Sequence, residues 1–285
     1  MTVGPEALKS QRLNRVIDRL IRGEPVLSTS TVPNGNFQDF IAIAQSDYDM
    51  VMIETEHQGF DFTGLHHSLH YLLDRRRIAE GRSLQAQPTP FVRIPSNARE
   101  QNQWVIKQTL DAGAYGLVLP HLDSVEGAMA AVSAARYPAA RGTTPQGPAG
   151  VRGWSPFTAP PYWGLGVREY IDRAGVWPLD PEGEILLMGI VESIQGISVL
   201  PEVLRQVKGI GAIWAGQGDL SVSMGLRGQL EHPEVEEAVQ KILATCKEQG
   251  VACATLATPS CGVEKRLEQG FEIVIVPVTR SFDQF

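Results

Sequence analysis

Five polar side chains stand at or just beyond the ends of apolar runs, where they could support chemistry together: His57, Arg93, His121, Glu192 and Asp219. Glu192 and Asp219 are 27 residues apart. Two hard carboxylates with open positions suit Mg²⁺ or Mn²⁺, because water and substrate oxygens can complete the octahedron. His57 could be a general base. Arg93 needs an anionic partner, such as a substrate carboxylate held bidentately.

Each of these residues also has a purely structural interpretation. Asp219 could cap a helix that starts immediately after it. His57 could be a structural histidine, and Arg93 could pair with a carboxylate of the same fold, such as Glu54. The glycines in the run 216–218 do not form a dinucleotide fingerprint, because the third glycine and the downstream acidic residue are missing.

The elements that must position these side chains are short apolar runs alternating with helical stretches. The runs are unbroken, which is typical of parallel strands buried on both faces. Helices are predicted over 98–112, 124–136 and 233–249 from apolar spacing and capping residues. The eight runs comprise residues 26–31, 50–56, 90–94, 116–120, 185–192, 212–216, 251–257 and 272–278. Eight strands alternating with helices favour an α/β fold with a closed (β/α)₈ barrel, whose active site lies where the strands end.

We expect one barrel domain over residues 1–285, because a single α/β barrel needs about 250 residues. An amphipathic helix is predicted at the N-terminus. Residues 139–183 are rich in Pro, Gly and aromatic residues and are too long for an ordinary connection after the fourth βα unit. This insertion is predicted to be either a surface excursion or a wall of the active site or of a subunit contact.

Composition excludes several other classes of protein. The net charge of -7 and pI of about 5.4 argue against a nucleic-acid partner. The apolar runs have the length of strands, so no membrane association is expected. The three cysteines form no CxxC pair and are interpreted as reduced thiols of a cytoplasmic protein.

In order along the chain, several motifs resemble those of the HpcH/HpaI aldolases, metal-dependent class II aldolases that act on 2-oxo acids. The resemblance extends from about residue 24 to residue 278. The motifs are Ile53-Glu54-Thr55-Glu56-His57 with Asp61, Pro90-Phe91-Val92-Arg93, residues 106–113 leading into 117–120, residues 136–138, residues 150–153, Glu192, residues 216–221 and residues 232–235.

The resemblance implies a role for each candidate residue. Glu192 and Asp219 are expected to ligate a divalent metal, Mg²⁺, Mn²⁺ or Co²⁺. His57 is expected to be the acid/base residue, with Asp111 raising its basicity. Arg93 is expected to bind substrate and to stabilise a developing enolate.

Four further positions are expected to shape the site. Gly218 is expected to offer backbone contacts to the substrate carboxylate, and His121 stands where the macrophomate synthase branch also has a histidine. Glu54 replaces the aspartate that is usual in the family. Ile190 replaces its substrate-binding glutamine, which should change how the 2-oxo acid is held.

The implied function is a carbon–carbon lyase that cleaves a 4-hydroxy-2-oxo acid to pyruvate and an aldehyde through a metal-bound enolate. By resemblance, the chain is expected to form a homo-oligomer, a trimer or hexamer. Decarboxylation of an oxaloacetate-like acid, with or without carbon–carbon bond formation, uses the same chemistry and stays open. So do an acyl-CoA lyase and a barrel that binds a 2-oxo acid without turnover.

Overall fold

The predicted strands form a closed parallel barrel in the computed structural model, which describes residues 12–33, 35–95, 100–144 and 146–276. The strands are β1 (Val26–Thr31), β2 (Met50–Glu54), β3 (Thr89–Arg93), β4 (Gly116–Leu119), β5 (Val176–Trp177), β6 (Ile185–Val191), β7 (Ile210–Ala215), β8 (Ala252–Leu256) and β9 (Ile273–Ile275). Pairing of β4 with β6 and of β1 with β9 closes the barrel, and β5 adds to β6 as a short ninth strand. The predicted α/β barrel is therefore confirmed.

Twelve helices occur within these described ranges. They are α1 (Arg15–Ile21), α2 (Phe37–Gln45), α3 (Phe62–Tyr71), α4 (Arg75–Gly81), α5 (Gln103–Ala112), α6 (Val125–Ala135), α7 (Ala159–Trp163), α8 (Val167–Arg173), α9 (Ile194–Gln206), α10 (Gln217–Ser223), α11 (Pro233–Gln249) and α12 (Val263–Gln269). Most connect successive strands, so the strands all run in the same direction and their carboxyl ends meet at one face.

The strands are buried on both faces because alternate residues face two different cores. One core fills the barrel and includes Met52, Phe91, Met188, Ile190 and Trp214. The other core lies between the strands and the helices. This alternation explains why the strands read as unbroken apolar runs.

Helix α1 packs against the amino-terminal end of the barrel. Its residues Val16 and Ile17 belong to the core inside the barrel. Asn14 donates side-chain hydrogen bonds to the carbonyls of Tyr115 and Glu184, both 3.1 Å long, at the starts of β4 and β6. The barrel is thus covered at its amino-terminal end, and the opposite end holds the polar cluster.

The structure adjusts several predicted boundaries. Strand β2 ends at Glu54, two residues before the end of the predicted run. The insertion 139–183 contains α7, α8 and β5, none of which was predicted. Residues 1–11 of the predicted N-terminal helix, residues 98–99 of the predicted helix 98–112 and residues 277–278 of the eighth run lie outside the described residues.

Two further findings concern the whole described chain. Within the described ranges, no helix has the length and apolar character needed to cross a membrane. Cys246, Cys253 and Cys261 are buried free thiols.

Candidate active site

The polar cluster begins where β2 and β3 end side by side. Glu54 and Arg93 are register partners on these strands, and the guanidinium Nε of Arg93 donates to Glu54 Oε2. The side chain of Arg93 is 16% exposed and that of Glu54 is 11% exposed. The structure therefore shows Arg93 paired with Glu54, one of the two kinds of partner considered for it.

The second carboxylate oxygen of Glu54 holds the turn that carries His57. Glu54 Oε1 accepts hydrogen bonds from the backbone N–H groups of Glu56 (2.8 Å) and His57 (3.0 Å). Backbone pairing to β3 continues only as far as Thr55, whose N–H donates to the Arg93 carbonyl at 3.0 Å. Glu54 thus replaces the lost strand partners of the turn, and this is why β2 stops there.

Glu56 belongs to the cluster, although the sequence analysis did not select it. Its Oε2 lies 3.4 Å from Arg93 Nε and 3.5 Å from His57 Nε2. Burial raises the pKa of Glu56, Arg93 and His57 oppose that rise, and Glu54 and Asp219 add to it. The signal that could have identified Glu56 is its place in the motif that ends at His57.

His57 projects from the cluster toward solvent. Its side chain is 57% exposed, with Nε2 beside the Glu56 carboxylate. A ring that is open on one side and contacts a carboxylate on the other can exchange protons with a small molecule. The structure therefore leaves His57 accessible for the acid/base role that the resemblance implies.

Glu192, directly after β6, is the most buried carboxylate of the cluster at 3% exposure. Its Oε1 accepts a 2.7 Å hydrogen bond from the backbone N–H of His121 and lies 3.6 Å from that ring's Nδ1. Burial raises the pKa of Glu192 to about 8, and the negative charges of Asp219 and Glu56 contribute to the rise. His121 follows β4 and has a φ of +52°. Its contact with Glu192 connects the residues that follow β4 and β6.

Asp219 lies in the first turn of α10, one residue beyond Gly218. Gly216 is the N-cap of that helix, so the capping interpretation of Asp219 is wrong. Asp219 is exposed, and its charge raises the pKa of both Glu192 and Glu56. At Gly218, no atom of the described chain lies within 4 Å of the position that an added Cβ would occupy, so its backbone is open to a ligand.

The donor chemistry of this cluster fits a divalent cation. Glu56, Glu192 and Asp219 repel one another electrostatically, and Arg93 is already paired with Glu54. Oxygen ligands of this kind suit Mg²⁺ or Mn²⁺. Across the described ranges, no group of three His, Cys, Asp or Glu side chains is arranged to hold a metal ion. A site with two protein carboxylates therefore stays a prediction.

Asp111 lies on α5 and contacts an arginine of the insertion. Arg152 donates to Asp111 Oδ1 through Nη2 (2.8 Å) and Nε (3.2 Å), and its side chain is fully buried. The guanidinium lies 4.6 Å from the ring centroid of Tyr137 and also bonds to the hydroxyl of Tyr170. Asp111 therefore neutralises a buried cation that ties the insertion to the barrel. Its predicted effect on His57 stays a prediction.

Ile190 lies inside the barrel immediately below Glu192. It is fully buried and pairs in register with Trp214 of β7. A Cβ added to Gly216 would lie 2.6 Å from Ile190 Cγ2 and 3.0 Å from Glu192 Cβ. Gly216 thus leaves the space that β6 needs for both side chains.

Comparison with known proteins places the chain in a family. The model of the HpcH/HpaI aldolase/citrate lyase family matches residues 34–281, so the chain belongs to that family. The crystal structure of an HpcH/HpaI aldolase/citrate lyase family protein from Burkholderia cenocepacia J2315 is 26% identical with a TM-score of 0.75, and 93% of each chain is covered. Macrophomate synthase is 25% identical with a TM-score of 0.67, covering 93% of this chain and 83% of its own.

Curated relatives carry the names of aldolases. The 2-keto-3-deoxy-L-rhamnonate aldolase of Klebsiella pneumoniae subsp. pneumoniae is 31% identical over 91% of this chain and 85% of its own length. A hydroxypyruvate/pyruvate aldolase of Paraburkholderia phytofirmans is 27% identical over 82% of this chain and 79% of its own. A 5-keto-4-deoxy-D-glucarate aldolase of Citrobacter koseri is 30% identical over 66% of this chain, which spans 64% of that protein. These relatives support an aldolase or lyase activity.

Proposed function

We propose that this member of the HpcH/HpaI aldolase/citrate lyase family cleaves a 4-hydroxy-2-oxo acid to pyruvate and an aldehyde, with Mg²⁺, Mn²⁺ or Co²⁺ as cofactor. The observation that carries the proposal is the convergence of Glu192 and Asp219 with Arg93 and His57 at the carboxyl end of the barrel. The name of the hydroxypyruvate/pyruvate aldolase supports pyruvate as the product of cleavage.

Glu192 and Asp219 are the residues that would hold the cation. When bound there, a divalent cation supplies Lewis acidity that polarises a keto oxygen. Arg93 offers positive charge where the enolate of pyruvate develops. Its contact with Glu54 fixes the direction of the guanidinium, so little reorganisation is needed during the reaction.

His57 is assigned the proton transfers. In cleavage, its ring takes the proton of the 4-hydroxyl, the C3–C4 bond breaks, and the electron pair of that bond remains on C3. The aldehyde leaves, and C3 is protonated to give pyruvate. The Glu56 carboxylate, 3.5 Å from His57 Nε2, contacts the ring that makes these transfers.

Aromatic side chains beside His57 support an aldehyde with an apolar substituent. Phe60 and Phe62 follow His57 and contact each other edge to face, with ring centroids 4.5 Å apart. Trp104, at the start of α5, lies 6.2 Å from Phe62 and is 56% exposed. This aromatic cluster offers apolar surface at the carboxyl end of β2 and β3, where the aldehyde would leave.

The first experiment follows the methyl protons of pyruvate by NMR in D₂O, with Mg²⁺, Mn²⁺ or Co²⁺ and then with EDTA. Exchange requires only that the site forms an enolate, so the natural aldehyde need not be known. We expect metal-dependent exchange that EDTA stops and that Glu192→Ala and Asp219→Ala lack. Glu202→Ala, an exposed carboxylate of α9, is the matched control and should exchange normally.

His57→Ala separates proton transfer from metal binding. We expect the exchange rate to fall about 10²–10⁴-fold, as for the loss of a general acid or base, while metal affinity stays unchanged. Full exchange in either metal-site variant would refute the assignment. Binding of pyruvate without exchange in the wild-type protein would indicate a barrel that binds 2-oxo acids without turnover.

Decarboxylation of oxaloacetate is the second candidate, favoured by the contact of His121 with Glu192. The same samples, given oxaloacetate, distinguish it. Loss of CO₂ that exceeds the metal-only control, without pyruvate exchange, would support a decarboxylase. His121→Ala should then slow CO₂ release, because it removes the ring that lies 3.6 Å from Glu192 Oε1.

A homo-oligomer, either a trimer or a hexamer, is proposed as the assembled state. The insertion exposes Trp154 (65%) and Phe157 (78%), and large apolar side chains at such exposure are typical of a subunit contact. Light scattering after size-exclusion chromatography measures the mass directly. A monomer at all concentrations would refute this proposal.

A further inference from the structure

Trp214 stands on β7 directly beneath the polar cluster, with its side chain inside the barrel. It is 5% exposed. Because α1 packs against the amino-terminal end of the barrel, this remaining exposure is expected to face the carboxyl-terminal mouth. The indole is therefore the part of the barrel core that approaches the candidate active site.

The indole N–H of Trp214 has no hydrogen-bond acceptor in the described part of the chain, although Nε1 is buried. Trp163 shows the usual solution, because its Nε1 donates to the carbonyl of Gly113 at 2.8 Å. Buried donors in folded proteins are nearly always paired, and an exception calls for a water or a ligand. The unpaired donor beneath a reaction site is thus an independent sign of a bound oxygen.

The surroundings of Trp214 connect it to the residues that would handle substrate. The guanidinium carbon of Arg93 lies 5.8 Å from the centroid of the indole ring. On the adjacent strand, Ile190 is its register partner, and Glu192 follows Ile190 by two residues on the same face. A ligand oxygen near the Trp214 N–H would therefore lie close to the positive charge of Arg93.

We propose that the indole N–H of Trp214 donates a hydrogen bond to an oxygen of the bound 2-oxo acid and so determines specificity for that class of anion. The inference rests on the proposed function and adds a residue to it. Arg93 supplies positive charge, and the indole would add a single neutral donor inside the barrel core. A buried donor of this kind rejects analogues that lack the matching oxygen, since they leave it unpaired.

The test uses Trp214→Phe, which keeps an aromatic face for Arg93 and removes only the donor and one ring. Oxalate, a stable dianion with the oxygens of a 2-oxo acid, and pyruvate are titrated calorimetrically with saturating Mg²⁺. We expect Kd for both to rise about ten- to hundred-fold, as for the loss of a hydrogen bond to a charged group. The KM for pyruvate in proton exchange should rise by the same factor, with kcat within about three-fold.

Thermal stability distinguishes a ligand-binding donor from a structural one. Trp163→Phe is the matched control, because it removes an N–H that is already paired within the protein. It should lower Tm and leave oxalate affinity unchanged. Trp214→Phe removes an unpaired donor, so its Tm should fall less than that of Trp163→Phe.

The double variant Ile190→Gln with Trp214→Phe provides a rescue. An amide at position 190 would offer an N–H from the adjacent strand at the same level of the barrel. Recovery of at least part of the oxalate affinity is expected, and a general packing defect would not be repaired this way. An isolated Ile190→Gln variant measures any separate gain.

The outcomes separate this inference from the proposed function. Unchanged oxalate and pyruvate affinity in Trp214→Phe overturns the inference, whatever the exchange assay shows. Wild-type binding of oxalate without proton exchange overturns the lyase assignment, while the Kd ratio still measures the Trp214 donor. A wild-type protein that binds neither anion overturns both.

Discussion

Replacing Gly216 by alanine tests how tightly the residue after β7 packs against Glu192, the proposed metal ligand that follows β6. The added methyl would lie 2.6 Å from Ile190 Cγ2, 3.0 Å from Glu192 Cβ and 3.3 Å from Glu192 Oε2. Favourable carbon–carbon contacts need about 3.5–4.0 Å. The φ of Gly216 is -84°, which suits any residue, so the substitution acts through packing alone.

The size of the stability loss depends on how much room the displaced atoms have to move. Ile190 is fully buried in the barrel core, so it has little room to withdraw. Overpacking of this kind costs about 1–3 kcal/mol, which corresponds to a Tm lower by roughly 3–10 °C for a chain of this size. Displacement of Glu192 should also weaken Mg²⁺ binding about ten- to hundred-fold, as for residues that orient metal ligands.

Scanning fluorimetry with EDTA, followed by a Mg²⁺ titration, measures both effects. Gly218→Ala is the packing control, because nothing in the described chain lies within 4 Å of its Cβ position. Its Tm and Mg²⁺ affinity should match the wild type. Gly262→Ala, which is equally unobstructed and far along the chain, controls for pyruvate exchange. Wild-type Tm and Mg²⁺ affinity in Gly216→Ala would refute the packing argument.

Three further predictions concern the charges around the site. Glu54→Ala should lower the free energy of unfolding in urea by about 3 kcal/mol, because Arg93 loses its register partner and keeps only the 3.4 Å contact with Glu56; Glu54→Gln, which keeps an acceptor for the turn, should lose less, and equal losses would contradict this. Because the pKa of Glu192 is raised to about 8 from 4.5, its carboxyl stays protonated in the metal-free fold while the unfolded chain ionises. In EDTA, the free energy of unfolding should therefore fall as the pH rises from about 4.5 to 8, by on the order of 4 kcal/mol. Mg²⁺ should reverse this loss at pH 8. A Tm that does not change between these pH values would contradict the predicted direction. Asp111→Ala should destabilise the fold by about 3–5 kcal/mol, since it leaves Arg152 buried without a counterion, whereas an unchanged stability with a shifted pH profile of exchange would indicate that Asp111 acts on His57.

The barrel could be predicted because its strands are buried on both faces. Unbroken apolar runs marked all eight barrel strands, and the polar residues after them pointed to one end of the barrel. Strand β5 was not predicted, because its two residues, Val176–Trp177, are too few to show an alternating pattern and lie in a segment rich in aromatic residues. The end of β2 was placed too late, because the sequence does not show that Glu54 bonds back to the turn.

The cluster itself was only partly predictable, since pairing depends on side-chain direction. Whether Arg93 pairs with Glu54 was open in the sequence, and the register of β2 with β3 brings the two together. Its binding of a substrate carboxylate stays a prediction. Glu56 was passed over because a residue beyond a strand end has no fixed face. Trp214 gave no polar signal at all, as its apolar ring hides the single N–H that the core leaves unpaired.

The charges of the site favour binding of a divalent cation first and of an anionic substrate after it. Glu54 accepts from Arg93 Nε and from two backbone N–H groups, so its charge is compensated within the protein. Asp219 raises the pKa of Glu56, and both raise the pKa of Glu192. A divalent cation offsets two of these three negative charges and offers positive charge for an anion beside Arg93. An anionic 2-oxo acid is therefore favoured only after the metal, which predicts that oxalate affinity vanishes in EDTA while Mg²⁺ affinity is measurable without oxalate.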